Sequence, residues 1–154
     1  MTAQVRFSVN QATYEEIKDH LHQCSLSFRP ALESRVDISE YSKKIIARAN
    51  RFEAWKETRL AGLIAIYSNL ADCTAYITNV SVVPDFQGLK IAESLLTQAF
   101  SFFTASHCKT VELEVGADNI KAVQLYKKFG FQEKSQLTSS YIMVKQMGNY
   151  IERL

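Results

Sequence analysis

Two stretches of this chain decide its fold: residues 80–92, VSVVPDFQGLKIA, and residues 112–131, ELEVGADNIKAVQLYKKFGF. Each begins as a strand, continues through a turn that contains glycine, and ends in a helical pattern. Two strand–turn–helix units in succession favour an α/β arrangement over an all-antiparallel sheet. They therefore predict a sheet with helices packed against it.

The sequence on either side of these stretches supplies further elements. The patterns predict strands over 5–9, 51–56, 59–69, 74–83, 111–115, 131–137 and 141–146, and helices over 12–24, 39–49, 88–106 and 119–129. We expect Asn10 to cap the first helix and residues 25–37 to form a loop. The order β-α-α-β-β-β-α-β-α-β-β predicts one mixed α/β sheet flanked by helices. A single domain over residues 1–154 is expected, because one core usually serves roughly 100–200 residues.

Composition and charge exclude several classes of protein. Eighteen basic and sixteen acidic residues leave a net charge of +2, which does not provide the basic face that nucleic acid requires. No apolar run approaches the roughly 18 residues of a membrane span, and the N-terminus is not of signal-peptide type. Three widely spaced cysteines, Cys24, Cys73 and Cys108, suit reduced thiols. We therefore expect a cytoplasmic protein without nucleic-acid or membrane partners.

The first stretch has the chemistry of an anion site. A helix N-terminus leaves about four N–H groups without intrahelical partners and carries partial positive charge. A loop that wraps over such an end can hold a phosphate without a charged side chain. Here Gly88 permits a close backbone approach, and Ala92 is small enough for a ligand to lie against the helix.

Both stretches resemble the GNAT superfamily of acyl-CoA-dependent N-acetyltransferases. The first is similar to the family motif Gln/Arg-x-x-Gly-x-Gly/Ala, which Gln87 and Ala92 match, although Lys90 stands where the family usually has glycine. In the second, Asn119, Ala122 and Tyr126 match Asn-x-x-Ala-x-x-x-Tyr, followed by Gly130-Phe131. The order of elements is also that of the GNAT fold.

The resemblance implies acetyl-CoA as the acyl donor and a set of residues that bind it. Lys90 leaves two readings open: its side chain swings outward as an added cation beside the phosphates, which we favour, or the site is weakened or the cofactor shifted. The main chain at Val82 matches the family position that pairs with the pantetheine arm and supports the thioester carbonyl. The implied cofactor-binding residues are Val82, Val83, Gln87, Gly88, Leu89, Lys90, Ile91, Ala92, Asn119 and Tyr126.

Tyr126 and Glu114 are the candidate catalytic residues. Attack of an amine on a thioester needs a neutral amine, a polarised carbonyl and a stabilised leaving thiolate. Tyr126 follows Asn119 by about two helical turns on the same face, and the resemblance assigns it the role of acid toward the thiolate. Glu114 shares a strand face with Glu112, and Leu113-Glu114-Val115 resembles the branch that acetylates a ribosomal-protein N-terminus. Glu114 is then either the base or a structural group, with a water chain near Asn79 or Ser81 as the substitute base.

His20, His22 and Cys24 do not predict a metal site. Residues two apart on a helix point in different directions, so only His20 and Cys24 share a face. Zinc sites commonly use three or four ligands. We therefore expect no metal.

The acceptor site is expected between residues 28–38 and 134–141. In the first segment, Glu33 and Asp37 could attract an ammonium group, and Arg29 and Arg35 could hold a carboxylate or phosphate. We favour a primary amine of a small molecule, amino sugar or amino-acid-like, attacking directly in a ternary complex. The alternatives are a protein N-terminal acetyltransferase and a non-catalytic acyl-CoA-binding module. The resemblance also allows a homodimer through an edge strand.

Overall fold

The computed structural model describes residues 4–28 and 31–147. Its seven described strands form one mixed sheet in the order β1-β2-β3-β4-β5-β7-β6. The strands are β1 (Val5–Val9), β2 (Asn50–Lys56), β3 (Arg59–Asn69), β4 (Thr74–Val82), β5 (Thr110–Gly116), β6 (Gln132–Gln136) and β7 (Ser140–Gln146). The helices are α1 (Tyr14–Cys24), α2 (Ile38–Arg48), α3 (Ile91–Ala105) and α4 (Ile120–Lys128). The predicted fold class and element order are confirmed.

Helices cover both faces of the sheet, and β3 shows this most clearly. Leu63 and Ala65 pack into a cluster with α1 and α2, whereas Ile64 and Ile66 pack into a cluster with α3. Successive side chains of a strand point to opposite faces, so an unbroken apolar run is what a strand buried on both sides requires. The sheet is therefore the middle layer of the molecule.

The start of α1 differs from the sequence prediction. Thr13, rather than Asn10, caps the helix: its side chain accepts from the Glu16 N–H at 3.2 Å, and Glu16 Oε1 accepts from the Thr13 N–H at 2.9 Å. This reciprocal pair is a capping box. Asn10 instead adopts a positive φ of 57°, and its side-chain oxygen accepts from the Arg51 N–H at 2.8 Å. The predicted loop over 25–37 was wrong in part, because Ser25–Ser27 and Leu32–Ser34 form 3-10 turns.

A buried carboxylate holds the connection between β1 and α1. Glu53 is fully buried and accepts hydrogen bonds from Ser8 Oγ at 2.8 Å, the Gln11 N–H at 2.8 Å, the Ala12 N–H at 3.0 Å and Arg51 Nε at 3.2 Å. A buried charge is tolerated when it is paired and its lone pairs are satisfied. The network therefore fixes the start of α1 against the sheet.

The feature that positions the functional site is the separation of β4 from β5. These two strands pair in parallel only from Thr74–Ile77 to Thr110–Leu113, although both continue beyond that point. β4 is also irregular here: Ile77 is opposite Ile66 and Asn79 is opposite Ala65, so Thr78 is the extra residue of a bulge. A gap opens in the sheet where the pairing ends.

Within residues 4–28 and 31–147, no helix combines the length and the apolar character that crossing a membrane requires.

Gly62 on β3 allows α3 to pack closely beside the gap between β4 and β5. A Cβ atom at Gly62 would lie 2.6 Å from Ile91 Cγ2 and 3.0 Å from Leu95 Cδ1, and both of those side chains are buried. The absence of a side chain at Gly62 thus sets how near the first turn of α3 comes to the sheet.

We expect Gly62→Ala to destabilise the protein by about 1–3 kcal/mol, because overpacking a closed core displaces neighbouring side chains. Urea unfolding measures the change. Ile91→Ala removes the clashing methyl group, so in the double variant Gly62→Ala should cost less than it does alone. Strictly additive costs would contradict the proposed clash.

Candidate active site

A cleft of about 1090 Å³ occupies the gap between β4 and β5. Its walls are the diverging ends of the two strands, and the first turns of α3 and α4 close it on one side. The other end is closed by Ser27, Phe28, Leu32, Arg35, Val36, Tyr41, Ser139 and Ser140. The two predicted turns and the two predicted acceptor segments thus meet in one cavity.

The first turn of α3 forms one end of the cleft. The first intrahelical bond runs from the Ser94 N–H to the Lys90 carbonyl at 3.1 Å. The N–H groups of Ile91, Ala92 and Glu93 therefore have no acceptor within the helix. Gly88 has a φ of 87°, a conformation that side chains disfavour, and the space beside its Cα is open. This end of the cleft has the geometry of an anion site.

Lys90 occupies the position immediately before α3 in the left-handed conformation, with a φ of 59°. This backbone conformation explains why glycine is usual at this position in the motif, since left-handed backbone is strained for other residues. The Lys90 side chain is exposed, makes no capping hydrogen bond to the helix, and lines the cleft. The Lys90 side chain is therefore at the end of the cleft beside α3 and is not buried in the fold.

The free edge of β4 supplies main-chain groups to the cleft. The Val83 N–H bonds to the Ala61 carbonyl on β3 at 2.8 Å. Because successive N–H groups of a strand point to opposite neighbours, the Val82 N–H points to the other side, toward the gap. Val82 is thus available to a ligand through its main chain, and Val83 is already bonded.

Asn119 and Tyr126 both face the cleft from α4. Asn119 is the N-cap, and its side-chain oxygen accepts from the Ala122 N–H at 3.3 Å, which leaves its NH₂ group for another partner. Tyr126 is buried, with its ring edge-on to Phe131 at a centroid distance of 5.8 Å. Burial raises the pKa of Tyr126, so the phenol remains protonated and able to donate at neutral pH.

Glu114 lies on β5 across the cleft from these residues. Its side chain is exposed, and Oε2 accepts from Ser140 Oγ at 2.8 Å. Glu112, two residues earlier on the same strand face, instead pairs with Lys134 at 3.1 Å. Of this pair of glutamates, Glu114 is the one that lines the cleft.

Aromatic side chains and one arginine form the end of the cleft away from α3. Burial is the main cause that raises the pKa of Tyr76; the Glu114 carboxylate adds to it and Arg35 opposes it, so both charges lie near the Tyr76 ring. The Arg35 guanidinium lies 6.0 Å from the Phe28 ring centroid. Tyr41 donates to the Thr78 carbonyl at 2.7 Å.

The other predicted acceptor charges lie elsewhere. Glu33 contacts His22 at 3.3 Å, and Asp37 caps α2 by accepting from the Glu40 N–H at 3.0 Å. Arg29 lies outside the described residues. Among the described acceptor candidates, the structure therefore brings only Arg35 into the cleft.

Most of the residues predicted to form the site meet in this cleft. The lining includes Val82, Gln87, Gly88, Lys90, Ile91, Ala92, Glu114, Asn119 and Tyr126. Val83 is buried and Leu89 is half-exposed, and neither belongs to the described lining. Phe28 and Ser140 lie in the predicted acceptor segments, whereas the sequence reasoning missed Tyr41 and Tyr76, which lie on separate elements and share no local motif that could have identified them.

His20 and Cys24 share a buried face of α1 as predicted, with Nε2 3.6 Å from Sγ, whereas His22 is exposed. Across residues 4–28 and 31–147, no three His, Cys, Asp or Glu side chains are grouped to hold a metal ion.

Comparison with known proteins identifies relatives. Residues 14–131 match the model of the acetyltransferase (GNAT) family. The chain is 35% identical over 77 residues to a Bacillus subtilis protein provisionally named ribosomal protein bS18-alanine N-acetyltransferase; the match covers 50% of each. The chain spans between about a third and a half of the length of the curated relatives it matches.

Solved structures show the same fold at low identity. The Escherichia coli ribosomal-protein-S18-alanine N-acetyltransferase has a TM-score of 0.78 and 20% identity, covering 98% of this chain and 99% of that one. The PaiA N-acetyltransferase of Thermoplasma acidophilum, solved in complex with coenzyme A, has a TM-score of 0.72 and 16% identity, covering 92% and 99%. These likenesses support the architecture described above.

The strained backbone at Lys90 predicts an unusual response to glycine. Lys90→Gly should raise the free energy of unfolding by up to about 1 kcal/mol, because left-handed backbone costs an L-residue about 1–2 kcal/mol and glycine loses part of that gain to unfolded-state entropy. Lys90→Ala is the control, since it removes the charge and keeps the strain. Urea unfolding in which Lys90→Gly is less stable than Lys90→Ala would contradict the strain.

Proposed function

This chain belongs to the acetyltransferase (GNAT) family, and from that premise we propose that it transfers an acetyl group from acetyl-CoA to the primary amine of a small molecule. The reaction is a direct attack within a ternary complex. The observation that carries the proposal is the meeting of three groups in one cleft: an open helix N-terminus, the free edge of β4, and the protonated phenol of Tyr126.

The donor fits the end of the cleft beside α3. The N–H groups of Ile91 and Ala92 would hold the phosphates, with Lys90 as an added cation. The Val82 main chain and the Asn119 NH₂ group would bond the pantetheine arm. Coenzyme A is bound in the structure of the Thermoplasma acidophilum protein, which supports this assignment.

The chemistry follows from the groups around the thioester. The amine nitrogen attacks the carbonyl carbon and forms the new C–N bond. The Val82 N–H stabilises the oxyanion of the tetrahedral intermediate. The C–S bond then breaks, and Tyr126 donates its proton to the leaving thiolate, while the proton lost by the amine passes to a base.

Glu114 is proposed as that base. The Ser140 hydroxyl orients its carboxylate by bonding Oε2, which leaves Oε1 free to accept the proton directly or through water. The carboxylate lies in the cleft on the strand opposite the free edge of β4. A structural role alone would not require it to line the cavity.

The charges near Tyr76 suggest the kind of acceptor. Glu114 attracts an ammonium group, and Arg35 can hold a carboxylate or phosphate on the same molecule. Aromatic rings of Phe28 and Tyr76 form apolar walls between them. We therefore favour an amino-acid-like amine or an amino sugar that also carries an anionic group.

A protein N-terminus is the second candidate acceptor. The specific support is the similarity to the Bacillus subtilis protein that bears the bS18-alanine N-acetyltransferase name, together with Leu113-Glu114-Val115. An N-terminal residue presents the same primary amine to Glu114, but its chain continues where Arg35 would otherwise hold an anion.

Release of free thiol from acetyl-CoA distinguishes these functions. The panel contains β-alanine, aspartate, glucosamine 6-phosphate and short peptides that begin with alanine. Faster turnover of the small anionic amines supports the proposal, and faster turnover of the peptides supports the second candidate. Binding of acetyl-CoA without thiol release under any condition would make the chain a non-catalytic acyl-CoA-binding module.

Replacing Tyr126 by Phe tests the acid. We expect kcat to fall about 100-fold, in the usual range for loss of a general acid, with little change in the KM for acetyl-CoA. Tyr67→Phe is the matched control, because Tyr67 lies on β3 outside the described lining of the cleft. Full turnover by Tyr126→Phe would remove the acid role.

Replacing Glu114 by Gln tests the base. We expect kcat/KM for the amine to fall on the order of tenfold to 100-fold, because the neutral amide cannot accept the proton. Glu112→Gln alters the neighbouring carboxylate on the same strand face and should leave turnover near the wild-type level. Equal losses in the two variants would indicate that charge near the sheet, rather than base catalysis, is responsible.

A further inference from the structure

Three buried polar side chains form a hydrogen-bonded chain beside the cleft. His20 on α1 lies with Nδ1 2.8 Å from the Leu60 carbonyl and Nε2 2.8 Å from Ser81 Oγ. Ser81 Oγ is in turn 2.6 Å from the amide oxygen of Asn79, and the Asn79 NH₂ group has no partner. Ser81 and Asn79 line the cleft, and the reaction proposed above uses neither of them.

Donor and acceptor chemistry determines where the protons lie in this hydrogen-bonded chain of His20, Ser81 and Asn79. The Leu60 carbonyl only accepts, so Nδ1 of His20 must carry hydrogen. Burial lowers the pKa of His20 to about 4, so the ring is neutral at pH 7 and Nε2 carries no hydrogen. The Ser81 hydroxyl must therefore donate to Nε2, because two lone pairs would otherwise face each other at 2.8 Å.

This count determines the orientation of the Asn79 amide. The single proton of Ser81 is already used, so the Asn79 group 2.6 Å away must be the donor NH₂. Oxygen and nitrogen of an amide exchange places by a half-turn of the side chain. This rotation of the amide gives the unpartnered NH₂ group an acceptor, Ser81 Oγ. It leaves Oδ1 at the outer position, beside the Tyr41 phenol.

The Asn79 side chain lies on the acceptor side of the gap, as the packing of β4 shows. Val80 and Val82 on β4 pack against the cluster that contains α3, whereas Ser81 contacts His20 on α1 and Asn79 lies beside Tyr41 on α2. The donor approaches from the α3 side, so an acceptor from the opposite side meets Asn79. Tyr41 uses its one proton on the Thr78 carbonyl, so the lone pairs of Asn79 Oδ1 remain for a ligand.

We propose that Asn79 Oδ1 accepts a hydrogen bond from the acceptor amine and directs its lone pair toward the thioester, with Ser81 and His20 as positioning residues. The inference rests on the proposed function and adds a contact to the reacting nitrogen. His20 does not act as the base, because a ring with a pKa of about 4 takes few protons from an ammonium group. Deprotonation stays with Glu114.

Kinetics of two variants test the contact. Asn79→Leu keeps the branched side-chain shape and removes the acceptor, so we expect kcat/KM for the fastest amine of the panel to fall about tenfold or more, with the KM for acetyl-CoA unchanged. Ser81→Ala frees the amide and should raise the KM for the amine by a smaller factor. Ser42→Ala, a buried hydroxyl on α2 away from the cleft, is the control and should behave as wild type.

Nitrogen-15 NMR of the histidine rings in the wild-type protein tests the proton count without any variant. The expected result is a neutral His20 ring that carries hydrogen on Nδ1 and not on Nε2. A ring with hydrogen on Nε2, or a charged ring at neutral pH, overturns the inference. This measurement also tests the inference if Asn79→Leu does not fold.

The two proposals fail differently. Wild-type protein that acetylates no amine overturns the proposed function and, with it, the role of Asn79. Wild-type protein that is active while Asn79→Leu keeps kcat/KM for the amine and Ser81→Ala keeps the amine KM overturns only the role of Asn79. Equal losses of kcat/KM for the amine and for acetyl-CoA would show that the hydrogen-bonded side chains have a structural role. That result would also overturn the role of Asn79.

Discussion

The loss of pairing between β4 and β5 is the constraint on which the rest of the structure depends. The two strands are bonded up to Ile77 and Leu113 and then diverge, while β3 and β7 continue to pair with their outer edges. Each strand therefore remains ordered without its partner. A free main-chain edge in the centre of a sheet is costly unless a ligand or water bonds to it. The gap thus leaves main-chain groups to which an extended ligand could bond.

The gap would also allow the two substrates of the proposed reaction to be present together. It passes through the middle layer of the molecule, so one ligand can enter from the α3 face and another from the face of α1 and α2. Gly62 brings α3 close on the first side, and the buried Glu53 network holds the start of α1 on the second. The reacting atoms would meet at the gap, between Val82 and Glu114. Direct attack requires both substrates to be bound at once, whereas a reaction through a covalent intermediate on the protein does not.

From the sequence, the secondary-structure elements and the donor side of the site could be predicted better than the acceptor side. Asn119 and Tyr126 could be assigned because they match the family motif and a helix places residues seven apart on one face. Gly88 could be assigned because glycine permits a close backbone approach. The cap of α1 was misassigned because Asn10 and Thr13 both suit a cap, and the contact of Asn10 with β2 decided between them. Glu33 and Asp37 were candidates by charge alone, and their local partners were not visible in that pattern.

The sequence by itself determined what is local: the strand and helix periods, the turn chemistry before α3, and the spacing of Asn119 and Tyr126. Tertiary structure decided which distant residues share the cleft. His20 meets Ser81 across 61 positions of sequence, and Glu114 meets Ser140 across 26. Such pairs depend on strand order, register and the bulge at Thr78. A shift of one residue in a strand reverses the face of every side chain on it, so no local pattern specifies these contacts.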